Sequence, residues 1–546
     1  MSFELSDSES TLPALLRGCA ERFGDSDMLA LGERRLSFAE AERESARLAR
    51  GLLASGVGKG TRVGLLMPNG PDWALAWMAA CRIGALLVPL STFLRARELA
   101  WNLRHADVQT LLVADRYLNH DYPARLEEAL PELAEVDGGP LHLRSAPYLR
   151  RIRVWGECDR PWAEREPSGL RTLADAAVTV DEAFLREVEA EVAPADPMVV
   201  LYTSGSTAEP KGAVHTHGSA LRHSAVLNAF RRGTPEDKQY SPMPWFWVGG
   251  FNLFLLGTLH SGACLFCEES FDVDRIVELI ERERITIVGA WPHHAKAISE
   301  HPRFAQGNFD FVRYGAYATL GAPHQPPESG LQPNALGMTE TFANHSMEAA
   351  GVRLPESRRG SFGRAIPGIE RRIVDPQTRW EVAPGEPGEL LIRSSSLMQG
   401  LYKLEREQVF TPDGFYATGD QCRIDSDDYL FFLGRLSETI KTGGANVAPR
   451  EVEGVLESFE EVKEAYVVGV SDAEMGQLVV TVVVPWEGQQ AAPAPLRERA
   501  REQLSAFKVP RRIEIMSAEE IPRTDSAKIQ KPRLRELLES RYSASG

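Results

Sequence analysis

Six cysteines among 546 residues are too few for a disulfide framework. No apolar run approaches the roughly 20 residues needed to cross a bilayer. The opening segment MSFELSDSES has neither a basic region nor an apolar core, so no secretory leader is expected. Positive charge is scarce: 61 Lys and Arg stand against 77 Asp and Glu, a net charge of −16. An acidic body repels nucleic-acid phosphates and anionic lipid, so neither nucleic acid nor membrane insertion is expected. Small anionic substrates escape this exclusion, because a few local Lys and Arg can hold a phosphate inside an acidic protein. A reducing cytoplasm is the expected compartment. The G-x-x-x-x-G-K-[ST] spacing of a Walker A loop is also missing.

What is present is ordinary globular composition, 43% hydrophobic and 25% charged, over a length that implies about three packing units. Apolar runs bounded by turn residues alternate with helical patterns. RVGLLM (Arg62–Met67), ALLVPL, TLLVADR, MVVLYTS, ACLFC, ITIVGA and FVRYGA read as strands. Asp72–Ala85 and Asp272–Arg284 read as helices between them. Such alternation predicts an α/β fold with parallel sheets covered by helices on both faces. From about Arg371, short strands RRIVDP, GELLIRS and YLFFLGR separated by PGEPGE and DSDDY predict a β-rich section. The last 110 or so residues form a separate α+β unit. In it, helices are expected near Pro449–Ser458 and Pro495–Ala506, strands at AYVVGV and LVVTVVVP, and a surface loop at Glu487–Pro495.

The strongest chemical signal is YTSGSTAEPKG, Tyr202–Gly212, directly after MVVL. Thr203, Ser204, Gly205, Ser206 and Thr207 put short hydroxyls on a flexible turn, and Lys211 behind Pro210 adds a cation. Backbone N–H groups, hydroxyls and one positive charge are what phosphate binding needs. Taken alone, a hydroxyl-rich surface turn is the commoner explanation. Further motifs follow in order: GMTET at Gly337–Thr341, YATGD at Tyr416–Asp420, GRLSETIKTGGANVAPREVE at Gly434–Glu453, then FKVPRRIEI and PRTDSAKIQK, the last at Pro522–Lys531.

As a set these segments resemble the acyl- and aryl-CoA synthetase branch of the adenylate-forming (AMP-binding) superfamily. The resemblance runs from Tyr202 to the C-terminus, and the preceding α/β region is compatible with it. It implies a large N-terminal domain, residues 1–433, whose β-rich section begins near 360, a hinge at 434–437 around Ser437, and a mobile α+β lid, 438–546. It makes Thr339 a phosphate contact and Glu340 a magnesium ligand, a role that suits a hard oxygen donor. Gly337 and Met338, with Gly321, Ala322 and Pro323, are expected along the nucleotide. Asp420 would accept hydrogen bonds from both ribose hydroxyls, beside Arg435. Lys528 is expected to stabilise charge at the α-phosphate and the attacking carboxylate. Lys441, Gly443 and Gly444 would approach the nucleotide or pantetheine after domain rotation, glycine allowing close backbone passage. Outside this frame Lys528 reads as a solvated lysine, Glu340 as part of a helix cap and Asp420 as a turn residue.

The chain departs from the family pattern at four places. Ala208 stands where glycine is usual, and Leu336 where a tyrosine stacks on adenine. Ser437 replaces the usual Asp or Lys of the hinge, and the segment between Pro323 and Gly337 is short. None of these removes a charged catalytic group. SPMPWFWVGGFN, Ser241–Asn252, resembles the wall of the acyl pocket, with Trp245, Phe246, Trp247, Gly250 and Phe251 as its lining. Some of these rings are equally explained as core. Trp247 stands where amino-acid-activating relatives carry an Asp, so an amino acid is disfavoured. His293 and His294 are either further lining or a polar helix start. Cys264 and Cys267 are spaced as a metal pair, yet no second pair completes a zinc site.

The reading is an AMP-forming ligase: ATP and Mg2+ convert a hydrophobic carboxylic acid to an acyl-adenylate, and coenzyme A takes the acyl group. Two rivals stay open, a carrier-protein or amine acceptor and a non-catalytic nucleotide-binding homologue. The acid and the oligomeric state, including a homodimer, are not legible from sequence.

Overall fold

A computed structural model describes residues 10–166, 171–203, 210–313, 320, 330–442, 445–472, 475–504, 506–524 and 528–543. The chain packs as two compact units. One comprises Met1–Arg359, Ile366–Ile369 and Ser394–Val409; the other comprises Gly360–Ala365, Glu370–Arg393 and Phe410–Gly546.

The first unit is built on two large sheets. The larger runs Gly400–Leu401, Lys211–Thr216, Pro197–Thr203, Leu86–Pro89, Arg62–Leu66, Thr110–Ala114, Arg151–Trp155, Glu164–Glu166. Leu86–Pro89 and Thr110–Ala114 are buried at every position, which is why they read as unbroken apolar runs. The sheet is parallel over most of its width. Towards one edge the pairing changes, Lys211–Thr216 running antiparallel to both neighbours. The YTSGSTAEPKG segment thus spans the turn end of a hairpin, with residues 204–209 outside the described ones. The second sheet runs Ile287–Val288, Lys238–Tyr240, Cys264–Cys267, Asp27–Leu31, Arg34–Ser37. FVRYGA supplies no strand at 311–313, and its remainder lies outside the described residues.

The helix Pro71–Arg82 starts with proline in its first turn, where no N–H is needed, and is buried almost all round. Its last residue, Arg82, is 1% exposed. The guanidinium is matched by Glu189 at 2.5 Å, Glu42 at 2.8 Å and the Ser45 hydroxyl at 2.8 Å. A buried arginine is tolerable only when its charge is paired in this way.

The second unit holds a four-stranded sheet, Ile369–Val374, Gly388–Ser394, Tyr416–Ile424, Leu430–Arg435, and a five-stranded one centred on the hairpin Val462–Asp472 with Gly476–Pro485. Alternation at period two sorts that hairpin's residues. Ala465 and Val467 face one core, whereas Val468 and Val470 face another. The helix expected at 495–506 runs Pro493–Gln503. Proline 493 occupies the first turn, so the expected loop at 487–495 is shorter than the composition suggested.

Candidate active site

In the first unit, Thr203 lies directly opposite Lys211 across the hairpin, and its hydroxyl donates to the Lys211 carbonyl at 3.4 Å. Lys211 is exposed. Ser204, Gly205, Ser206 and Thr207 fall outside the described residues, as do Gly321, Ala322 and Pro323. Gly212 is required where it stands: a Cβ would come within 2.7 Å of the Val200 side chain. Behind the loop, the Tyr202 hydroxyl and His105 Nδ1 are 2.8 Å apart. Burial holds the Tyr202 phenol well above its ordinary pKa, so it stays neutral.

Gly337 and Met338 end the strand Leu336–Met338, and Thr339–Thr341 form a single 3-10 turn. Here too glycine is obligatory, since a Cβ on Gly337 would meet the Ala343 carbonyl at 2.3 Å. The Thr341 hydroxyl accepts from the Met338 N–H at 3.2 Å and donates to the Ala343 carbonyl at 2.6 Å. Phe342 and Ala343 both adopt positive φ, 54° and 106°, conformations that L side chains enter at a cost. Neighbours hold the turn. His215 Nε2 donates to the Thr339 carbonyl at 2.8 Å. The Met398 N–H donates to the Glu340 carbonyl at 2.9 Å, and the Asn252 amide donates to the Phe342 carbonyl. Met398 is followed by Gln399, whose N–H donates to the Val214 carbonyl at 2.7 Å. The strand after the phosphate loop and the Thr339–Glu340 turn are thus tied together. Sequence reasoning missed His215, whose one signal is an imidazole within the apolar strand AVHT.

The aromatic segment divides. Trp245 and Phe251, 1% and 0% exposed, pack edge-on against Trp73 at 5.4 and 5.7 Å. Phe246 meets Phe93 at 5.7 Å. Trp247 is only half-buried and stands 5.9 Å from Phe93 and 5.5 Å from Trp291. Trp291 in turn stacks on His293 and His294 at 5.9 and 5.6 Å. Phe93 and Trp291 carry no motif and were not legible as partners of Trp247. Asn69 clips the segment, donating to the Met243 carbonyl and accepting from the Trp245 N–H, both at 2.9 Å. Phe251–Leu256 is one turn of π-helix, a geometry that recurs near functional sites.

Gly250 is where this segment tolerates no side chain. A Cβ there would sit 2.3 Å from the Pro244 carbonyl oxygen and 2.6 Å from that of Met243. Gly250→Ala is expected to destabilise the protein by about 1–3 kcal/mol and to weaken use of the acid. Calorimetric melting beside KM for the acid checks both; an unchanged melting temperature would refute the crowding. Cys264 and Cys267 are buried in one strand. Three residues apart, they point to opposite faces, and burial pushes the Cys264 thiol up to about 12.

In the second unit, Asp420 and Arg435 are paired directly across adjacent strands. Asp420 is 3% exposed. Arg435 contacts it at 2.9 Å and donates to the Thr418 carbonyl at 3.0 Å. Gly419 takes φ 70°, which turns the strand so that the Asp420 N–H reaches the Thr418 hydroxyl at 3.1 Å. Lys528 lies in a loop closed by the Thr524 N–H on the Lys528 carbonyl at 2.8 Å and the Lys528 N–H on the Thr524 hydroxyl at 3.1 Å. Its side chain is open at the surface. The ammonium is nonetheless held below the ordinary lysine value, first by partial loss of solvation and then by the Arg435 guanidinium. Ser437 is exposed in the 3-10 turn Leu436–Glu438. Lys441 is exposed on Ile440–Thr442, and Gly443 and Gly444 lie outside the described residues.

Comparison with known proteins adds to this geometry. Residues 16–402 match the family model of the AMP-binding enzymes, and residues 451–528 match that of the AMP-binding enzyme C-terminal domain. A mitochondrial medium-chain acyl-CoA ligase of Rattus norvegicus is 29% identical over 97% of this chain and 88% of its own. An indoleacetate–CoA ligase of Aromatoleum aromaticum is 29% identical over 93% and 94%. Among solved structures, ATP-bound MatB from Rhodopseudomonas palustris superposes with a TM-score of 0.80 at 25% identity, over 97% of this chain and 99% of that one.

Proposed function

Because the chain belongs to the AMP-binding enzyme family, we propose that it is an AMP-forming carboxylic acid–CoA ligase acting on a hydrophobic acid. The acid's carboxylate oxygen attacks the α-phosphorus of ATP, the bond to pyrophosphate breaks, and an acyl-adenylate forms. The thiol of coenzyme A then attacks the acyl carbon, giving up its proton, and AMP departs. Activation splits one unfavourable condensation into two accessible steps.

The observation that carries this reading is the pairing of buried Asp420 with Arg435, whose guanidinium acts on the Lys528 ammonium. A carboxylate braced in this way presents acceptors to a ribose edge, and the lysine supplies charge where an oxyanion grows. Lys211, Thr203 and Thr339 are the phosphate contacts on the first unit, with the hydroxyl loop Ser204–Thr207. Glu340 is the residue we assign to magnesium. A single hard carboxylate on a turn whose backbone is fixed from outside suits a metal that keeps waters and phosphate oxygens. Bound there, magnesium would neutralise polyphosphate charge. The 434–437 segment serves as hinge, and Lys441, Gly443 and Gly444 form the thiol-side loop. Half-buried Trp247 with Phe93 and Trp291 supports an apolar or aromatic acyl body, as do relatives named for medium-chain acyl and indoleacetate substrates.

The test is mass-spectrometric detection of CoA thioesters with ATP, Mg2+ and a broad panel of carboxylic acids. Thioester formation with one acid class is expected. Acyl-adenylate without thioester would transfer the role of acceptor to another thiol or an amine. AMP binding with no adenylate from any acid would leave a non-catalytic homologue.

A further inference from the structure

We propose that His215 is a positioning residue for the adenylation step: through the Thr339 carbonyl it fixes where the Thr339 hydroxyl and the Glu340 carboxylate stand against ATP. The proposal rests on the reading of Thr339 and Glu340 given above.

His215 is fully buried, on the strand that begins with Lys211. Four residues apart on a strand, the two side chains share a face. That one face therefore carries both the exposed cation and the hold on the turn. Nε2 lies 2.8 Å from the Thr339 carbonyl. A carbonyl only accepts, so Nε2 bears the proton and Nδ1 is a bare lone pair. Nδ1 is buried and finds no partner among the described residues. An unmet acceptor in the interior costs free energy. Leucine or valine would fill the same strand position without that cost, so the imidazole's contribution lies in its Nε2–H.

The turn needs such a hold. Phe342 and Ala343 are both in the left-handed half of conformational space, and the Phe342 ring rests on the His215 ring at 4.6 Å. A segment under backbone strain keeps its shape only when its surroundings over-determine it. The Met398 and Asn252 contacts fix the carbonyls of Glu340 and Phe342. The carbonyl of Thr339, the first residue of the turn, accepts the Phe342 N–H at 2.9 Å from within the turn, and His215 is its hold from outside. Burial depresses the imidazole to about 3, so it is a neutral donor throughout the working range and acts by geometry, without proton transfer.

The two half-reactions separate positioning from mere bracing. Adenylation is read by ATP–pyrophosphate exchange, and thiolation by thioester release from synthetic acyl-adenylate and coenzyme A. His215→Leu is expected to raise KM for MgATP and to lower exchange by about 10- to 100-fold, leaving thiolation at the wild-type rate. His215→Gln, whose amide nitrogen reaches where Nε2 stood, is expected to restore most of the exchange. The proposal is overturned if Leu and Gln lose exchange equally, if Leu loses nothing, or if Leu lowers both half-reactions together. Glu340→Gln, run alongside, separates the two failures. Exchange undiminished in Glu340→Gln overturns the reading of the turn, whereas loss there with none in His215→Leu overturns the role of His215 alone.

Discussion

Lys528→Ala is expected to lower acyl-adenylate formation by about 10²–10³-fold, the usual cost of deleting one preorganised charge donor at a developing oxyanion. Thiolation from preformed adenylate should be far less affected, because in that step the bond that breaks joins the acyl carbon to oxygen and no bond to the α-phosphorus is made or broken. Binding of AMP should also survive, since Asp420 and Arg435 pair without the lysine. The protonation of Lys528 adds a second, independent readout. Its ammonium is held below the ordinary lysine value by lost solvation and by Arg435. The active form is the cation, so adenylation should fall as pH rises, at a lower pH than an unperturbed lysine would give. Lys528→Arg keeps its charge at every accessible pH. That variant should be slow, because a guanidinium fork is not interchangeable with a point charge, but it should lose the alkaline limb. Equal losses in both half-reactions of Lys528→Ala, or an alkaline limb that persists in Lys528→Arg, would rule the assignment out.

The motifs that give chemistry were legible because charged and hydroxyl residues at fixed spacing have few structural explanations. Asp420 and Arg435 were read from YATGD and GRL, and the register across Tyr416–Ile424 and Leu430–Arg435 pairs them directly. The elements followed from periodicity, with helix Pro71–Arg82 found at Asp72–Ala85 and strand Arg62–Leu66 at Arg62–Met67. Aromatic residues were legible as a group and not one by one. Trp245, Phe246 and Trp247 are adjacent, yet only Trp247 is half-exposed. Nothing in an apolar ring says whether protein or ligand will cover it. Phe93 and Trp291 join Trp247 only through tertiary contact, so no local pattern could announce them. His215 was missed for a related reason. A histidine within an apolar strand commonly reads as a satisfied core residue, and its partner lies 124 residues away. The antiparallel pairing of Lys211–Thr216 was also hidden, because a hairpin whose connection carries the phosphate motif looks in sequence like any strand followed by a loop.

Below pH 6.5 the first unit is expected to lose stability steeply, well before its carboxylates protonate. Five histidines carry the effect: three in one stretch, with His260 and His294, which burial also lowers to about 4. His215, His217 and His223 are 0%, 0% and 3% exposed, and burial lowers them to about 3, 4 and 4. Local contacts oppose burial without overcoming it. The Thr339 carbonyl favours the charged form of His215, Asp196 that of His217, and the Asn344 backbone that of His223, while Lys59 disfavours the charge on His217. In the unfolded chain each would titrate near its ordinary value of about 6.5. Between that value and the folded one, the unfolded state binds a proton that the native state refuses. Stability is therefore complete above about pH 6.5 and falls as pH drops towards 4, by about 1.4 kcal/mol per pH unit for each imidazole. The three in the stretch together give about 4 kcal/mol per pH unit, so two units remove about as much as a domain's whole stability, and His260 and His294 steepen the fall further. In the unfolded chain Asp and Glu titrate near about 4, so its proton uptake between 5 and 6.5 belongs to the histidines. Melting temperature followed by calorimetry across that window should drop sharply. His223→Gln, whose amide still donates to Asn344 but does not titrate, should flatten the slope by about one fifth. If the slope is the same in that variant, or if His223 titrates near 6.5 by NMR in the folded protein, the acid sensitivity has another origin.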